Sequence, residues 1–231
     1  MTWNKGLTKA THPSVMKISR TMRARHLDNF YAWREQMKKE GKVKSSYLPF
    51  PKNGDLAELI GVVLGDGHID RFPRSESLTI AANSNNNGFI ERYTHLMKMI
   101  FNKAPYVAKV SPHVQCTRIR IYENHISKRL GVPVGNRRHI VVRVPRWILQ
   151  SKAYLIRYLR GLYEAEGSFC LHKPTGTYKF LFKNKNESLL RIVLRCIKLL
   201  GFHPHRSQYQ IQISRKKEVY MIKELLQFRN Y

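Results

Sequence analysis

Two acidic residues, Asp66 and Glu166, stand at the same place in two similar apolar segments. Residues 59–67 read LIGVVLGDG, and residues 159–167 read LRGLYEAEG. In both segments a small residue is followed four positions later by a second small residue, then by the acid and a glycine. Two carboxylates crowded together repel each other, which favours a shared cation between them. Oxygen ligands select Mg²⁺, Mn²⁺ or Ca²⁺ over zinc, so this pair predicts metal-dependent chemistry.

The two acids can meet only if the elements that carry them pack together. Both segments are predicted to be helices, over 55–66 and 153–166. Small residues four positions apart lie on one face of a helix and let two backbones approach closely. The predicted interface residues are Gly61, Gly65, Gly161 and Ala165. Packing through these residues would bring the C-terminal ends of the helices, with Asp66 and Glu166, together.

The rest of the chain repeats one order of elements: helix, two strands, helix, two strands, helix. The predicted boundaries are 55–130 for the first repeat, 131–150 for a connector and 151–231 for the second repeat, after a linker at 48–55. The predicted strands lie at 68–72, 77–82, 106–110, 115–122, 168–172 and 177–183, and in a hairpin over 202–214. An apolar helix ending in an acid and a glycine is ordinary by itself. Its recurrence at the head of a repeat favours a site and predicts an α+β fold with two pseudo-twofold αββαββα repeats.

The two segments and the repeat resemble the LAGLIDADG homing endonucleases, in the form with two motifs in one chain. Both segments fit the family motif, with Leu64 where the name motif has its first Asp and Glu166 in place of the second. The resemblance implies motif helices at the subdomain interface and antiparallel sheets that form a saddle over DNA. It implies that Asp66 and Glu166 bind divalent metal. It also implies that the backbone carbonyls of Gly65 and Ala165 assist them, with Mg²⁺ as cofactor and Mn²⁺ or Ca²⁺ able to replace it in binding.

The charge of the chain predicts a polyanionic partner. There are 42 Lys and Arg residues against 15 Asp and Glu, a formal net charge of +27. Nucleic acid is favoured over an anionic membrane because the basic residues are spread along the chain. The uninterrupted apolar stretches are too short to span a bilayer. We therefore expect double-stranded DNA as the partner and no association with a membrane.

Residues 1–50 are predicted to form a basic N-terminal extension. They contain eleven Lys and Arg residues against three acids, and residues 14–39 are predicted to be helical. Two interpretations stay open for this extension: a solvated basic segment, or an arm that binds DNA phosphates.

Alternation along the predicted strands places polar residues on one face and apolar residues on the other. The polar faces carry Arg, Lys, Gln and Asn with almost no acid, which favours DNA contact over a merely solvated surface. Arg suits guanine and Gln or Asn suits adenine in the major groove, where a β-ribbon fits. The predicted DNA-binding residues are Thr79, Asn83, Arg118, Arg120, Lys179, Lys183, Gln208, Gln210 and Gln212.

These features together predict site-specific hydrolysis of both strands of a long double-stranded DNA target. The predicted catalytic residues are Asp66 and Glu166, with Lys183 or Arg120 as the basic group that neutralises charge in the transition state. One alternative is a non-cleaving DNA-binding regulator, or a maturase acting on intron RNA, built on the same fold. Another is a basic structural protein that binds nucleic acid without sequence preference.

The first residues and the cysteines predict the cellular compartment of the protein. The start, MTWNKGLTKATH, lacks the apolar region of a signal peptide. The three cysteines are widely spaced, which favours a reducing compartment. We therefore expect an intracellular protein found with the genome rather than a secreted one. Because both motifs lie in one chain, we expect a monomer.

Overall fold

The computed structural model describes residues 4–25, 27, 30–42, 44 and 46–231, which divide into two units, 1–47 and 48–231. The smaller unit contains helices α1 (Pro13–Ala24) and α2 (Tyr31–Lys39). The prediction of one helix over 14–39 is therefore wrong. The backbone N–H of Leu27 donates to the carbonyl of Met22 at 2.8 Å, a bond that closes the end of α1. Residues 26, 28 and 29 of the predicted helix lie outside the described residues.

The larger unit contains the two predicted repeats. The first consists of α3 (Gly54–Gly65), β1 (Gly67–Arg71), β2 (Glu76–Asn83), α4 (Asn87–Phe101), β3 (Tyr106–Ser111), β4 (Val114–Glu123) and α5 (Ile126–Leu130). A short helix in the connector, α6 (Arg146–Leu149), has no counterpart in the predictions. The second repeat consists of α7 (Lys152–Glu166), β5 (Gly167–His172), β6 (Thr177–Lys183), α8 (Glu187–Leu199), β7 (His205–Ser207), β8 (Gln210–Ile213) and α9 (Lys216–Leu225). None of the helices formed by described residues is long and apolar enough to cross a membrane.

Each repeat forms one antiparallel sheet, and the two sheets have the same strand order. The orders are β1-β2-β4-β3 and β5-β6-β8-β7. In the first sheet Gly67 lies opposite Ile80, and in the second Gly167 lies opposite Phe182. The predicted α+β fold with two αββαββα repeats is confirmed.

The helix starts are encoded locally by capping side chains. An Asn or Ser side chain accepts a backbone N–H at the start of α3, α4, α7 and α8, at Asn53, Asn86, Ser151 and Asn186. Such caps satisfy backbone donors that have no partner within the helix. They fix where each helix begins, and α3 and α7 then end at the motif acids.

Helices α3 and α7 pack against each other with their backbones in direct contact, as predicted. A Cβ atom added to Gly161 would lie 2.7 Å from the backbone nitrogen of Val62. One added to Gly61 would lie 3.0 Å from the backbone nitrogen of Leu162. Further along the same interface, a Cβ on Gly65 would overlap the methyl group of Ala165. The small residues therefore set how closely the two motif helices approach.

The buried carboxylate of Glu58 links the two motif helices through contacts with arginines of α7. Glu58 of α3 has no exposed surface, and its Oε1 lies 2.5 Å from Nε of Arg92. Its Oε2 lies 2.5 Å from Nε of Arg157, on α7, and Oε1 lies 3.7 Å from Nε of the buried Arg160. Arg157 also pairs with Asp55 at 2.5 Å. Three arginines thus share one carboxylate across the interface between the repeats.

Replacing Glu58 by Gln is expected to destabilise the fold by about 3–5 kcal/mol, because the buried guanidinium of Arg160 and the half-buried ones of Arg92 and Arg157 would lose their charged partner. Chemical denaturation monitored by circular dichroism measures this loss. Asp55→Asn is the matched control, since the Asp55 side chain is 46% exposed and such pairs contribute at most about 1 kcal/mol. Equal destabilisation by both variants would contradict the role given to the buried network.

Candidate active site

The crossing of α3 and α7 brings the two motif acids, Asp66 and Glu166, to one place. The Cγ atom of Glu166 lies 3.1 Å from the position that a Cβ on Gly65 would take. Asp66 keeps contact with solvent, and Glu166 is half-buried. Protein packed around Asp66 and then the negative charge of Glu166 raise the pKa of Asp66 from 3.8 to about 7. Burial also raises the pKa of Glu166, which a hydrogen bond from Asn184 partly offsets.

Asn184 is a site residue that the sequence analysis missed. Its Nδ2 donates to Oε1 of Glu166 at 2.9 Å, and its Oδ1 accepts the backbone N–H of Asn186 at 2.8 Å. Because Asn186 caps α8, the start of that helix holds the amide that orients Glu166. The signal in the sequence was the short segment Asn184–Asn186, which joins a strand directly to a helix.

The donors at this place fit a hard divalent cation. Gly65 and Ala165 belong to the last turns of their helices, where carbonyl oxygens have no following helical N–H to accept. Two carboxylates and two such carbonyls form an all-oxygen set. The described residues contain no cluster of three or more His, Cys, Asp or Glu side chains that could hold a metal instead. The charge of Glu166 contributes to the raised pKa of Asp66, and a bound cation would relieve that repulsion.

Without metal, Asp66 is expected to make the fold less stable at high pH. Its pKa is higher in the folded chain than its ordinary value, so the folded chain holds the proton more tightly. Stability should fall as pH rises from 3.8 towards about 7, and the full cost should remain above that. Asp66→Asn should therefore melt at a higher temperature than wild type above pH 7 in chelator, with the difference vanishing below pH 3.8. A constant difference across that range would contradict the crowding of the two acids.

Each motif acid lines a separate cavity, and the two cavities occupy equivalent places in the two repeats. The cavity at Glu166 has a volume of about 990 Å³ and is lined by Lys183 and Asn184, among others. The cavity at Asp66 has a volume of about 380 Å³ and is lined by Asn83 and Gln115, among others. The two acids therefore lie side by side but face different halves of the molecule.

The structure separates the two basic residues that were predicted to assist catalysis. Lys183 lines the same cavity as Glu166. Arg120 is held on its sheet, where its Nε donates to Oγ1 of Thr79 at 3.0 Å and its Nη1 to Oη of Tyr122 at 3.3 Å. The catalytic roles of Lys183 and Arg120 remain predictions, and the structure favours Lys183.

The first repeat has no lysine where the second has Lys183. Lys183 follows Phe182, the partner of Gly167, whereas Ala81 follows Ile80, the partner of Gly67. Ala81 donates its N–H to the carbonyl of Asp66 at 3.4 Å and pairs across the sheet with Arg118. The basic groups around the two acids are therefore unequal.

The alternation predicted for the DNA-binding strands is present, with two departures. Asn83, Arg118, Lys183 and Gln208 are exposed, and Arg120, Lys179, Gln210 and Gln212 are half-buried. Thr79 is only 8% exposed because Arg120 lies against it. Gln208 lies in the turn between β7 and β8, not on a strand, because that hairpin closes at Ser207 and Gln210. DNA contact by all nine residues remains a prediction.

Arg137, in the connector, is a second residue that the sequence analysis missed. Its Nη2 donates to the carbonyl of Val63 at 2.8 Å and to the carbonyl of Gly67, on either side of the end of α3. Its own carbonyl accepts Nδ2 of Asn186 at 2.6 Å. A cation at the C-terminal end of a helix stabilises the unpaired carbonyls there. The connector thus fixes the end of α3, where Asp66 lies, to the start of α8 in the other repeat.

Known proteins resemble this chain more in structure than in sequence. No family model matches the sequence. The tRNA-splicing ligase RtcB of Pyrococcus furiosus is 24% identical over 138 residues, which cover 54% of this chain and 14% of the relative. The chain thus spans about one seventh of the length of that relative.

Solved structures align with about three quarters of the chain. The homing endonuclease I-DmoI in complex with DNA and Mn aligns with a TM-score of 0.51 and 18% identity, covering 75% of this chain and 96% of that one. The N-terminal LAGLIDADG domain of DUF199/WhiA aligns with a TM-score of 0.52 and 16% identity, covering 78% and 86%. Full-length DUF199/WhiA from Thermatoga maritima gives a TM-score of 0.52 and 17% identity, with 78% and 57% covered. The chain is therefore a two-repeat protein with the LAGLIDADG fold.

Proposed function

We propose that this protein is a divalent-metal-dependent endonuclease that cuts both strands of a long, specific double-stranded DNA site. The observation that carries the proposal is the pair formed by Asp66 and Glu166 at the tips of two packed motif helices. Asp66 is exposed, yet the protein packed around it and the second carboxylate raise its pKa. A purely structural helix crossing does not require this costly arrangement. The solved complexes of I-DmoI with DNA and Mn, and with DNA and Ca, support the same class of partner and metal.

Each residue of the site is assigned a separate role. Asp66 and Glu166, with the carbonyls of Gly65 and Ala165, would hold Mg²⁺, which Mn²⁺ or Ca²⁺ could replace in binding. When bound, the metal supplies an activated water and neutralises charge on the phosphate and on the leaving oxygen. Asn184 orients the Glu166 carboxylate by its hydrogen bond at 2.9 Å. Lys183, in the cavity of Glu166, stabilises negative charge on the phosphate of that strand.

Target recognition is assigned to the polar faces of the two sheets. Phosphate contacts from Arg and Lys position the duplex, and side chains that reach base edges read its sequence. Both motifs belong to one chain, so a complete site requires no second copy, and we propose a monomer. The basic extension, residues 1–50, is proposed to bind DNA phosphates as an arm. The protein is proposed to act inside the cell, where the genome is.

A selection from randomised duplex DNA tests the proposal. Wild-type protein with Mg²⁺ should enrich one family of cut sequences, and chelation of the metal should abolish cutting while binding persists. Enrichment of a bound but uncut sequence would instead identify a non-cleaving DNA-binding regulator. Binding without any enriched sequence would identify a non-specific binder. Intron RNA, the other alternative partner, has no support in the comparisons.

A further inference from the structure

The C-terminal segment Gln227–Tyr231, here called the C-terminal clasp, is fixed across the interface between the repeats. The buried Arg160 of α7 donates from Nη1 to Oε1 of Gln227 at 2.7 Å and from Nη2 to the carbonyl of Asn230 at 2.8 Å. The buried Glu164 accepts the backbone N–H of Arg229 at 2.7 Å and the hydroxyl of Tyr231. Two buried charged residues therefore hold this short segment in one conformation.

The last residue of the clasp reaches the first repeat. A Cβ added to Gly88, near the start of α4, would overlap the Tyr231 side chain, so this side chain packs against the first repeat. Asn86 caps α4 as Asn186 caps α8, and Nδ2 of Asn186 donates to the carbonyl of Arg137 in the connector that follows the first repeat. The segment after each repeat therefore contacts the other repeat at the start of its second helix, α4 or α8.

Because the segment after each repeat packs on the other repeat, one arginine from each segment lines one of the two cavities. Arg137, from the segment after the first repeat, lines the cavity at Glu166. Arg229, from the segment after the second repeat, lines the cavity at Asp66. Arg137 is engaged by the carbonyls of Val63 and Gly67. Arg229 is exposed, and its guanidinium has no hydrogen-bond partner among the described residues. Its Cζ lies 4.9 Å from the centre of the buried Phe228 ring.

The backbone at Arg229 is held in a conformation that arginine rarely adopts. Its φ is +53°, in the left-handed region, where a residue other than glycine is uncommon. Such a conformation persists only where the surroundings determine it, and here Glu164 accepts the N–H of the same residue. The clasp therefore places a cation, on a backbone held in one conformation, at the cavity of Asp66. The strand position next to that acid carries Ala81 instead of a lysine.

We infer that Arg229 is a phosphate-binding residue for the DNA strand on the Asp66 side of the site, the counterpart of Lys183 on the Glu166 side. This inference rests on the proposed function for the identity of the ligand. A planar guanidinium with free donors suits a phosphate, with which it forms paired hydrogen bonds. Its backbone is already held in one conformation, so only the side chain has to be ordered on binding.

The test compares Arg229→Gln with Arg229→Lys, because both replacements are unbranched and share the same backbone strain at φ +53°. The measured quantities are the salt dependence of DNA binding and the single-turnover cleavage rate at saturating DNA. Arg229→Gln should lower the slope of log K against log salt by about 1. It should also slow cleavage by about tenfold or more, and Arg229→Lys should recover most of both losses. Arg195→Gln, on the exposed face of α8, is the matched control for loss of one positive charge and should leave the cleavage rate unchanged.

The outcomes separate this inference from the proposed function. A wild-type slope and rate in Arg229→Gln would overturn the assignment of Arg229, whatever wild type does to DNA. If wild type binds DNA but never cuts it, the proposed function fails, and the salt slope alone still decides whether Arg229 contacts phosphate. If Arg229→Gln and Arg229→Lys are equally impaired, charge is not what Arg229 contributes, and the inference also fails.

Discussion

Asp66→Asn and Glu166→Gln are each expected to abolish metal-dependent cleavage of the target while leaving specific DNA binding in place. The amides keep the shape of the carboxylates but lose the charge that holds a divalent cation. We expect cleavage to fall by at least about a hundredfold, the scale seen when one preorganised electrostatic contact to a transition state is removed. Binding should persist, or tighten slightly, because a negative charge is removed from a chain with a net charge of +27.

Single-turnover cleavage with Mg²⁺ and fluorescence anisotropy with Ca²⁺ measure the two properties separately. Asp70→Asn is the matched control for Asp66→Asn, since Asp70 is an exposed aspartate on β1 that pairs with His68 at 2.8 Å. Glu224→Gln, at an exposed position of α9, serves for Glu166→Gln. Both controls should cut as wild type does. Full cleavage by either Asp66→Asn or Glu166→Gln would remove these residues from the metal site.

Gly161→Val is expected to prevent the two repeats from packing. Even a Cβ at this position would lie 2.7 Å from the backbone nitrogen of Val62 and closer still to the carbonyl of Glu58. These neighbours are backbone atoms of α3 and cannot move without separating the helices. We expect a loss of more than about 3 kcal/mol, beyond the usual cost of overpacking, together with loss of the buried contacts of Glu58. Chemical denaturation and near-ultraviolet circular dichroism detect both effects.

Gly54→Ala is the control because Gly54 is a glycine of α3, the helix against which Gly161 of α7 packs. A Cβ there would meet only the flexible side chain of Arg157, at 3.3 Å. This variant should therefore keep wild-type stability within about 0.5 kcal/mol. A Gly161→Val protein that folds with wild-type stability would show that α3 and α7 do not cross at these glycines.

The elements that follow from local rules were predictable. The capping residues Asn86 and Asn186 and the alternation in β4 are encoded within a few neighbouring positions. The two motif helices and the strands of both repeats fall within a few residues of their predicted places. The helix predicted over 14–39 was wrong because the interruption near Leu27 depends on a backbone hydrogen bond that no hydrophobic period reveals.

The sequence by itself determined the pair of acids, because the same spacing of small residue, acid and glycine occurs twice at the head of the same repeat. The tertiary structure alone decided which groups surround them. Asn184, Arg137 and Arg229 reach the site from a strand end, the connector and the C-terminal clasp. Their positions depend on how chain segments far apart in sequence pack across a pseudo-twofold interface. Hydrogen bonds and charge interactions act over a few ångströms in space, and the spacing of residues along a chain does not report those distances.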